Sequence, residues 1–493
     1  MQDRNGQYGF PDPSGGYLEI SGCGITVMAR HVSTLIAGLI VLLLAAGCSS
    51  LASYTQMTQQ ARLSISQGRF DDALTVFPER SARGKDEVLI RLERATLLQA
   101  MGRFTESSRE FQLAADKMGY YESRAVVSAD RTAFQAGSLI VNEQVQPYEG
   151  KDFEKILLHA MNAVNYLMAG DLEGARVEIR IAYRRQNELR ERHARAIEKA
   201  EKEGRAKSWE QSFQKADSGR YRELSSRADN AYSVYQNAYA YYISSLVYEL
   251  GGELDEAYID LKKGILAAPD SKSLQKDLIR LSRELGFYED EQSWVARFGE
   301  PGKEYGTGTD VFVIFQHGSA PVKEPLSFPI PLPEGGLVFA SLPVYRFVPS
   351  GTQAGSIRVD GRDVRTSVVS DIDAIAARSL LDTFPVLFAK QVARSILKAQ
   401  MTRKLSREYG ALGAITGTLA SAVTEQADQR TWTSLPKEIQ VARVFVPEHT
   451  RSLTVASIPG GRTAVVNIPE GTRHLIVLCR DTDAGLALQT KAY

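Results

Sequence analysis

Gly68-Arg69-Phe70-Asp71-Asp72-Ala73 and Gly102-Arg103-Phe104-Thr105-Glu106-Ser107 are two copies of one pattern set 34 residues apart. Phe77 and Phe111 follow them at the same distance. A third copy, Gly170-Asp171-Leu172-Glu173-Gly174-Ala175 with Ile179, comes 68 residues after the second, which is twice the step. A fourth, Gly252-Glu253-Leu254-Asp255-Glu256-Ala257 with Leu261 and then Pro269, leaves the period but keeps the internal spacing. Glycine suits a turn at the end of one helix, and the apolar residue two places on closes that turn. The small residue five places on lets the next helix lie close against the first. The preceding helices show as well: Leu89, Leu92, Ala95, Thr96 and Ala100 lead into the second turn, and Leu157, Ala160, Val164, Tyr166 and Leu167 into the third.

This pattern resembles the tetratricopeptide repeat (TPR), a pair of antiparallel helices that stacks into a solenoid. The period breaks twice. Tyr120 to Phe153 is long enough for a degenerate repeat, with a loop marked by Pro147 and Gly150. About 176–227 is strongly charged and reads as an overlong helix, a polar loop near Gly204 to Gly219, and a returning helix. Glu188 with Arg192 and Glu198 with Lys202 are spaced for ion pairs along the first of these. Its basic residues either face anionic lipid or sugar polymer, or belong to a solvated hairpin. Tyr235, Tyr239 and Tyr242 share a face of the returning segment, as a peptide-binding stripe or as core.

After Leu285-Gly286 the pattern changes. Asp310 to Phe315, Val338 to Phe347 and Ile357 to Val359 read as strands, with Asp360-Gly361 as a turn. The proline-rich segment from Pro321 to Pro333 is barred from a central strand. A helix is expected over Asp371 to Phe384, and Pro385 opens another with Val386, Ala389, Val392, Ala393, Ile396 and Leu397 on its apolar side. Lys390, Arg394 and Lys398 form a basic stripe on that second helix, and the following segment 410–423, rich in Gly and Ala, reads as a buried helix, or as a surface for membrane contact or self-association. Ile439–Val446, Leu453–Ala456, Ala464–Ile468 and Leu475–Cys479 then read as an antiparallel meander. The expected fold class is multidomain α+β: an N-terminal α-solenoid of TPR-like helical hairpins followed by a mainly antiparallel, sandwich-like β domain with inserted helices. The expected boundaries are 48–295 for the repeats, 296–309 for a linker, and 310–493 for the β domain with a helical insertion at about 371–425.

The N-terminus carries a different message. Leu35 to Leu43 is an apolar run ending in Leu44-Ala45-Ala46-Gly47-Cys48, too short for a comfortable membrane span. It resembles the lipobox of bacterial lipoproteins; the alternative is an ordinary signal peptide or anchor helix with Cys48 there by chance. That resemblance implies a signal peptide at 28–47, cleavage before Cys48 and lipidation of Cys48. Two or three acyl chains there would anchor the protein without a transmembrane helix. Met28-Ala29-Arg30-His31 is the short basic segment such a signal wants, so 1–27 is expected to be a non-native extension. Ser49, rather than Asp, implies the outer membrane of a Gram-negative bacterium, with the protein facing the periplasm. The short tether places the β domain at the distal, partner-facing end.

Composition narrows the function classes. Lys plus Arg and Asp plus Glu both number 59, so there is no basic excess to displace phosphate counterions, and nucleic acid is not an expected partner. Cys479 is the one cysteine after Cys48 and reads as a buried strand residue, with no internal disulfide to form. The histidines at 31, 159, 193, 317, 449 and 474 have no metal-ligand spacing, and His317-Gly318-Ser319 lacks the Gly-x-Ser-x-Gly frame. Asp428-Gln429-Arg430-Thr431-Trp432 reads as a salt-bridged corner with a tucked tryptophan, or as a site. No catalytic, cofactor or metal residue is assigned, and no enzyme is expected.

Pro147-Tyr148-Glu149-Gly150, Gly170-Asp171 with Ala175-Arg176-Val177-Glu178, Ala320-Pro321-Val322-Lys323 and Ala427-Asp428 with Arg430 and Trp432 to Pro436 together resemble an uncharacterised family of bacterial outer-membrane lipoproteins with TPR-like repeats and a β-rich C-terminal domain. The resemblance implies a non-enzymatic scaffold for envelope proteins, among them the peptidoglycan synthesis machinery. It supplies no catalytic residues. A glycan-binding module or an enzyme with its site in the C-terminal domain is the alternative.

Overall fold

A computed structural model describes residues 53–128, 143–203, 213–215, 217–231, 233–301, 308–331, 337–424 and 427–493. Met1–Ser53 is one unit, and Tyr54–Tyr493 is a second, compact one. Cys48, the signal segment and 302–307 of the expected linker lie outside the described residues.

The helices pair as the repeat demands: α1 (Gln59–Ser66) with α2 (Phe70–Thr75), α3 (Glu87–Ala100) with α4 (Phe104–Ser128), and α5 (Asp152–Ala169) with α6 (Leu172–Glu203). After α7 (Ser218–Ala228), α8 (Ala238–Leu250) pairs with α9 (Leu254–Ala267), and α10 (Lys272–Glu284) with α11 (Tyr288–Phe298). Gly68, Gly102, Gly170, Gly252 and Gly286 each close a first helix at a φ between 69° and 83°. At Gly102 its N–H reaches the Gln99 carbonyl (3.0 Å) and the Arg103 N–H the Leu98 carbonyl (2.9 Å), and the other four turns repeat this pair of bonds. Ala73, Ser107, Ala175 and Ala257, five residues on, are completely buried, and Ser107 Oγ donates to the Ala95 carbonyl at 2.7 Å across the helix pair.

The Gly286 turn is a fifth copy, 34 residues after Gly252, which the sequence reading missed. Its small position holds Glu291, which pairs with Arg283 of α10 at 2.6 Å; no residue of α11 is fully buried, and Trp294 and Phe298 pack half-buried on the core.

Eleven strands follow among the described residues: β1 (Gly308–His317), β2 (Val322–Pro331), β3 (Leu337–Arg346), β4 (Ala354–Val359), β5 (Arg362–Arg365), β6 (Ser367–Asp371), β7 (Glu438–Pro447), β8 (Ser452–Ile458), β9 (Thr463–Asn467), β10 (His474–Thr482) and β11 (Gly485–Ala492). One sheet has the order β11-β10-β1-β7-β6, a second β5-β4-β8-β9, and β2–β3 is a separate ribbon. The C-terminal strands therefore make no simple meander: β8 and β9 leave β7 for the second sheet, and β10 returns to lie parallel to β1. Pairing is otherwise antiparallel.

Alternation along the strands builds three layers. Val311, Val313 and Phe315 of β1 join Ala442, Val444, Val477 and Cys479 against Ile357 and Val455 of the four-stranded sheet. The residues between them, Phe312, Ile314, Val441, Ile476 and Leu478, join the core formed with the helices. The repeats and the sheets are thus fused through one shared sheet.

Pro325, Pro329 and Pro331 have the same parity along β2, so their missing N–H groups fall on one side, away from β3. The ribbon tolerates them because β3 is its one strand partner among the described residues. Pro385 does not divide two helices: α12 runs continuously from Ile372 to Thr424. Proline forfeits one helical bond. Packing on either side compensates, with Phe384 stacked on Phe213 (5.0 Å) and Phe388 on Phe328 (5.4 Å).

Candidate functional site

The face formed by the first helix of each repeat is where a solenoid of this kind offers a concave surface. Here the chain itself fills it. Glu93, in the middle of α3, is fully buried. Its carboxylate accepts the Thr433 N–H (2.7 Å) and hydroxyl (2.8 Å), the Ser434 N–H (2.7 Å) and the Tyr54 hydroxyl (3.0 Å). Burial pushes its pKa up, while the donors from Ser434 and Thr433 pull the other way. Beside it Trp432 donates its ring N–H to Thr96 Oγ1 at 2.9 Å and sets its edge on Phe111. Arg430 fans out to Asp428 (2.9 Å), Asp86 (2.9 Å) and the carbonyls of Gln146 (2.9 Å) and Glu143 (2.8 Å), over the ring of Tyr148. Asp428 to Trp432 is therefore the salt-bridged corner with a tucked tryptophan.

A second lock joins sheet to helices at Arg443 of β7. It pairs with Glu249 of α8 (2.9 Å), Asp277 of α10 (3.3 Å) and Asp310 of β1, and Arg280 reaches Glu249 at 2.7 Å. Burial raises the pKa of Asp277 against the pull of Arg443 and Arg280. At Asp310 burial also pushes up, but Arg443 and His474 outweigh it and the net shift is downward. Three carboxylates share two guanidinium groups, and the raised pKa of Asp277 fits the excess of acid; this is architecture rather than catalysis.

An open cavity of about 490 Å³ lies where α7–α8, α9–α10 and β6–α12 meet. Val368, Val369, Ser370 and Asp371 of β6 line it, with Asp229, Gln236 and Asn237 on one wall and Pro269, Asp270 and Ser271 on another. The N-termini of α8, α10 and α12 converge there. Asn237 caps α8 by accepting the Ala240 N–H (3.2 Å), and Asp371 caps α12 through the Ala374 N–H (3.0 Å). Just beyond, Asp373 is fully buried against Lys437; burial raises its pKa to about 6 despite that ion pair.

The nearest approach to a catalytic set is His317, whose Nδ1 lies 3.4 Å from Ser350 Oγ and whose Nε2 lies 3.1 Å from Glu438. Ser350 is engaged in its own turn, donating to the Thr352 carbonyl (3.1 Å) and accepting the Thr352 N–H (3.2 Å). Burial lifts the Glu438 pKa, yet His317 and Gln440 outweigh it and hold the carboxyl low. The arrangement has the residue types of a hydrolase but no free nucleophile.

Other residues singled out in the sequence fall as follows. Tyr239 and Tyr242 are fully buried and Tyr235 packs against the same core, so the stripe is core. Cys479 is buried between the sheets, which pushes its thiol pKa up. Glu188 pairs with Arg184 and Arg185, not Arg192, which reaches Asp152 instead (3.8 Å) because the α5–α6 pairing brings that carboxylate closer. The side chains of Glu198 and Lys202 lie outside the described residues.

On α12 the expected faces hold only in part: Val392, Ile396 and Leu397 of the apolar side are half-buried. Arg394 is buried against Gln391 (3.0 Å), while Val386, Ala389 and Ala393 are exposed. Lys390 is exposed, and the side chains of Lys398 and of 410–423 lie outside the described residues. No helix among the described residues is long and apolar enough to cross a membrane.

No family profile and no curated protein matches the chain. Among solved structures, a thermophilic TPR protein of Thermus thermophilus is 15% identical over 49% of this chain and 87% of its own, with a TM-score of 0.23. The TPR2AB domain of yeast Sti1 in complex with pHSP90 is 12% identical over 49% of this chain and 90% of its own, with a TM-score of 0.19.

Proposed function

We propose that this chain is a non-enzymatic adaptor of the bacterial envelope, lipidated on Cys48, held at the outer membrane facing the periplasm, and engaged with other proteins of cell-wall assembly. The observation that carries the adaptor reading is the architecture itself. TPR-like hairpins are fused to a β sandwich that fills their inner face, leaving a cavity of about 490 Å³, part polar and part apolar, at the rim. Such a body suits holding partners at its edge. The lipobox ending in Cys48 supports the anchor. Cys48→Ala is expected to move the protein from the membrane pellet to the soluble fraction with its fold intact; retention in the pellet would sink the anchor. Photo-crosslinkers placed along the rim in intact cells are expected to trap discrete envelope proteins.

The rival reading, a glycan-binding module or enzyme, draws on Ser350, His317 and Glu438. Pull-down on purified peptidoglycan separates it: saturable binding of the purified chain to sacculi would favour the rival over protein scaffolding.

A further inference from the structure

We propose that the rim cavity is a docking groove for a short, extended, positively charged peptide segment of a partner protein, which pairs as an added strand with the free edge of β6. This rests on the adaptor reading and names the kind of partner it takes. Among the described residues β6 has β7 on one side and no strand on the other. Val368, Val369, Ser370 and Asp371 are consecutive, so their side chains alternate between faces, yet all four line the cavity. The cavity therefore runs along the edge of the strand rather than over one face of the sheet. An open edge carries backbone donors and acceptors, which is the template used in strand addition.

The opposite edge of the same sheet is not available. β11 lies against the repeat turns, where Gln489 approaches Gly102 and Lys491 approaches Gly170. At β6 the α8 and α10 N-termini hydrogen-bond to side chains, Asn237 to Ser370 and Ser271 and Ser273 to Ser367, and among the described residues the cavity lies between them. Length and shape limit what fits. β6 has five residues and its pairing shifts between Val368 and Ser370, so it accepts a segment of a few residues and resists open-ended sheet growth.

Charge selects the sign of the guest. The lining residues include Asp229, Asp270 and Asp371 and no lysine, arginine or histidine. Asp371 is spent in part on capping α12, but Asp229 and Asp270 are exposed and in no ion pair among the described residues. Val368, Pro269 and Ile375 give apolar ground for the small side chains between the charges.

The test uses the purified full chain and two capped, dye-labelled hexapeptides, Lys-Val-Thr-Val-Thr-Lys and Glu-Val-Thr-Val-Thr-Glu, followed by fluorescence anisotropy. The basic peptide is expected to bind saturably and at least tenfold more tightly than the acidic one. Asp229→Lys with Asp270→Lys, both surface changes, is expected to weaken the basic peptide at least tenfold. Hydrogen exchange is expected to slow at the amides of residues 368–371 when the basic peptide is bound. Equal binding of the two peptides, no effect of the charge reversal, or protection confined to another surface would each overturn the proposal. Crosslinking in cells keeps the two readings apart. Envelope partners trapped from other rim positions but never from Val368 would remove this groove and leave the adaptor standing, whereas no partner from any position would remove both.

Discussion

Glu93 shows how a single side chain can hold two parts of a chain together. Four donors converge on one buried carboxylate, two of them backbone N–H groups of the segment that carries Trp432. Replacing Glu93 by Gln swaps one acceptor oxygen for a donor and leaves a backbone N–H of Thr433 or Ser434 unpaired, at a cost of about 1–3 kcal/mol. Urea denaturation of Glu93→Gln is expected to show that loss, with Trp432 more accessible to a quencher. Asp373 gives the pH dependence. Its folded pKa of about 6 lies above the ordinary 3.8, so the native state keeps a proton that the unfolded chain has released between those values. Its contribution to stability therefore falls as pH rises through that window, by about 3 kcal/mol in all. Asp373→Asn is expected to remove this downward slope from urea midpoints taken from about pH 4 to about pH 7, while the loss of a partner for Lys437 shifts the curve as a whole. A slope unchanged by the substitution would contradict the assignment.

At the scale of the element, the repeat turns are the most constrained features. Gly252 has a φ of +79° and open space around it, so Gly252→Ala isolates the left-handed backbone penalty, about 1–2 kcal/mol. Gly102 has a φ of +75°, and an added Cβ would lie 2.6 Å from the Gln489 side chain. Gly102→Ala is therefore expected to cost at least as much and to loosen β11 too. Paired urea midpoints measure the difference, and amide exchange on β11 reports whether the strand moves only in the Gly102 variant. The same comparison explains why the fifth hairpin escaped the sequence pattern. Its glycine turn is intact, but Glu291 replaces the small residue that gives the pattern its signature.

For the whole molecule, the shared sheet makes helices and strands one cooperative body. Removing everything after residue 300 would expose the inner face that Trp432, Arg443 and the five-stranded sheet now cover. That fragment is expected to aggregate or lose helix content. The chain from Cys48 onward is expected to unfold in one transition, with helix signal and tryptophan fluorescence superimposed. Two separated transitions would instead mark independent domains.

The sequence by itself determined the local elements. Period, turn glycines and small residues fix helical hairpins through backbone sterics within a few residues, and Asp360-Gly361 fixes a turn the same way, both residues taking positive φ. It also carried the tucked corner at Arg430 and Trp432, because opposite charges two residues apart beside an aromatic satisfy one another locally. Only the tertiary structure decided where those pieces go. Pairing β10 parallel to β1, seating Trp432 under α3, burying Arg394 instead of Val386, and leaving β6 beside an open cavity all depend on contacts between residues far apart in the chain. No local period encodes which distant surface a strand or helix will cover, and it is that choice which filled the inner face and left the rim.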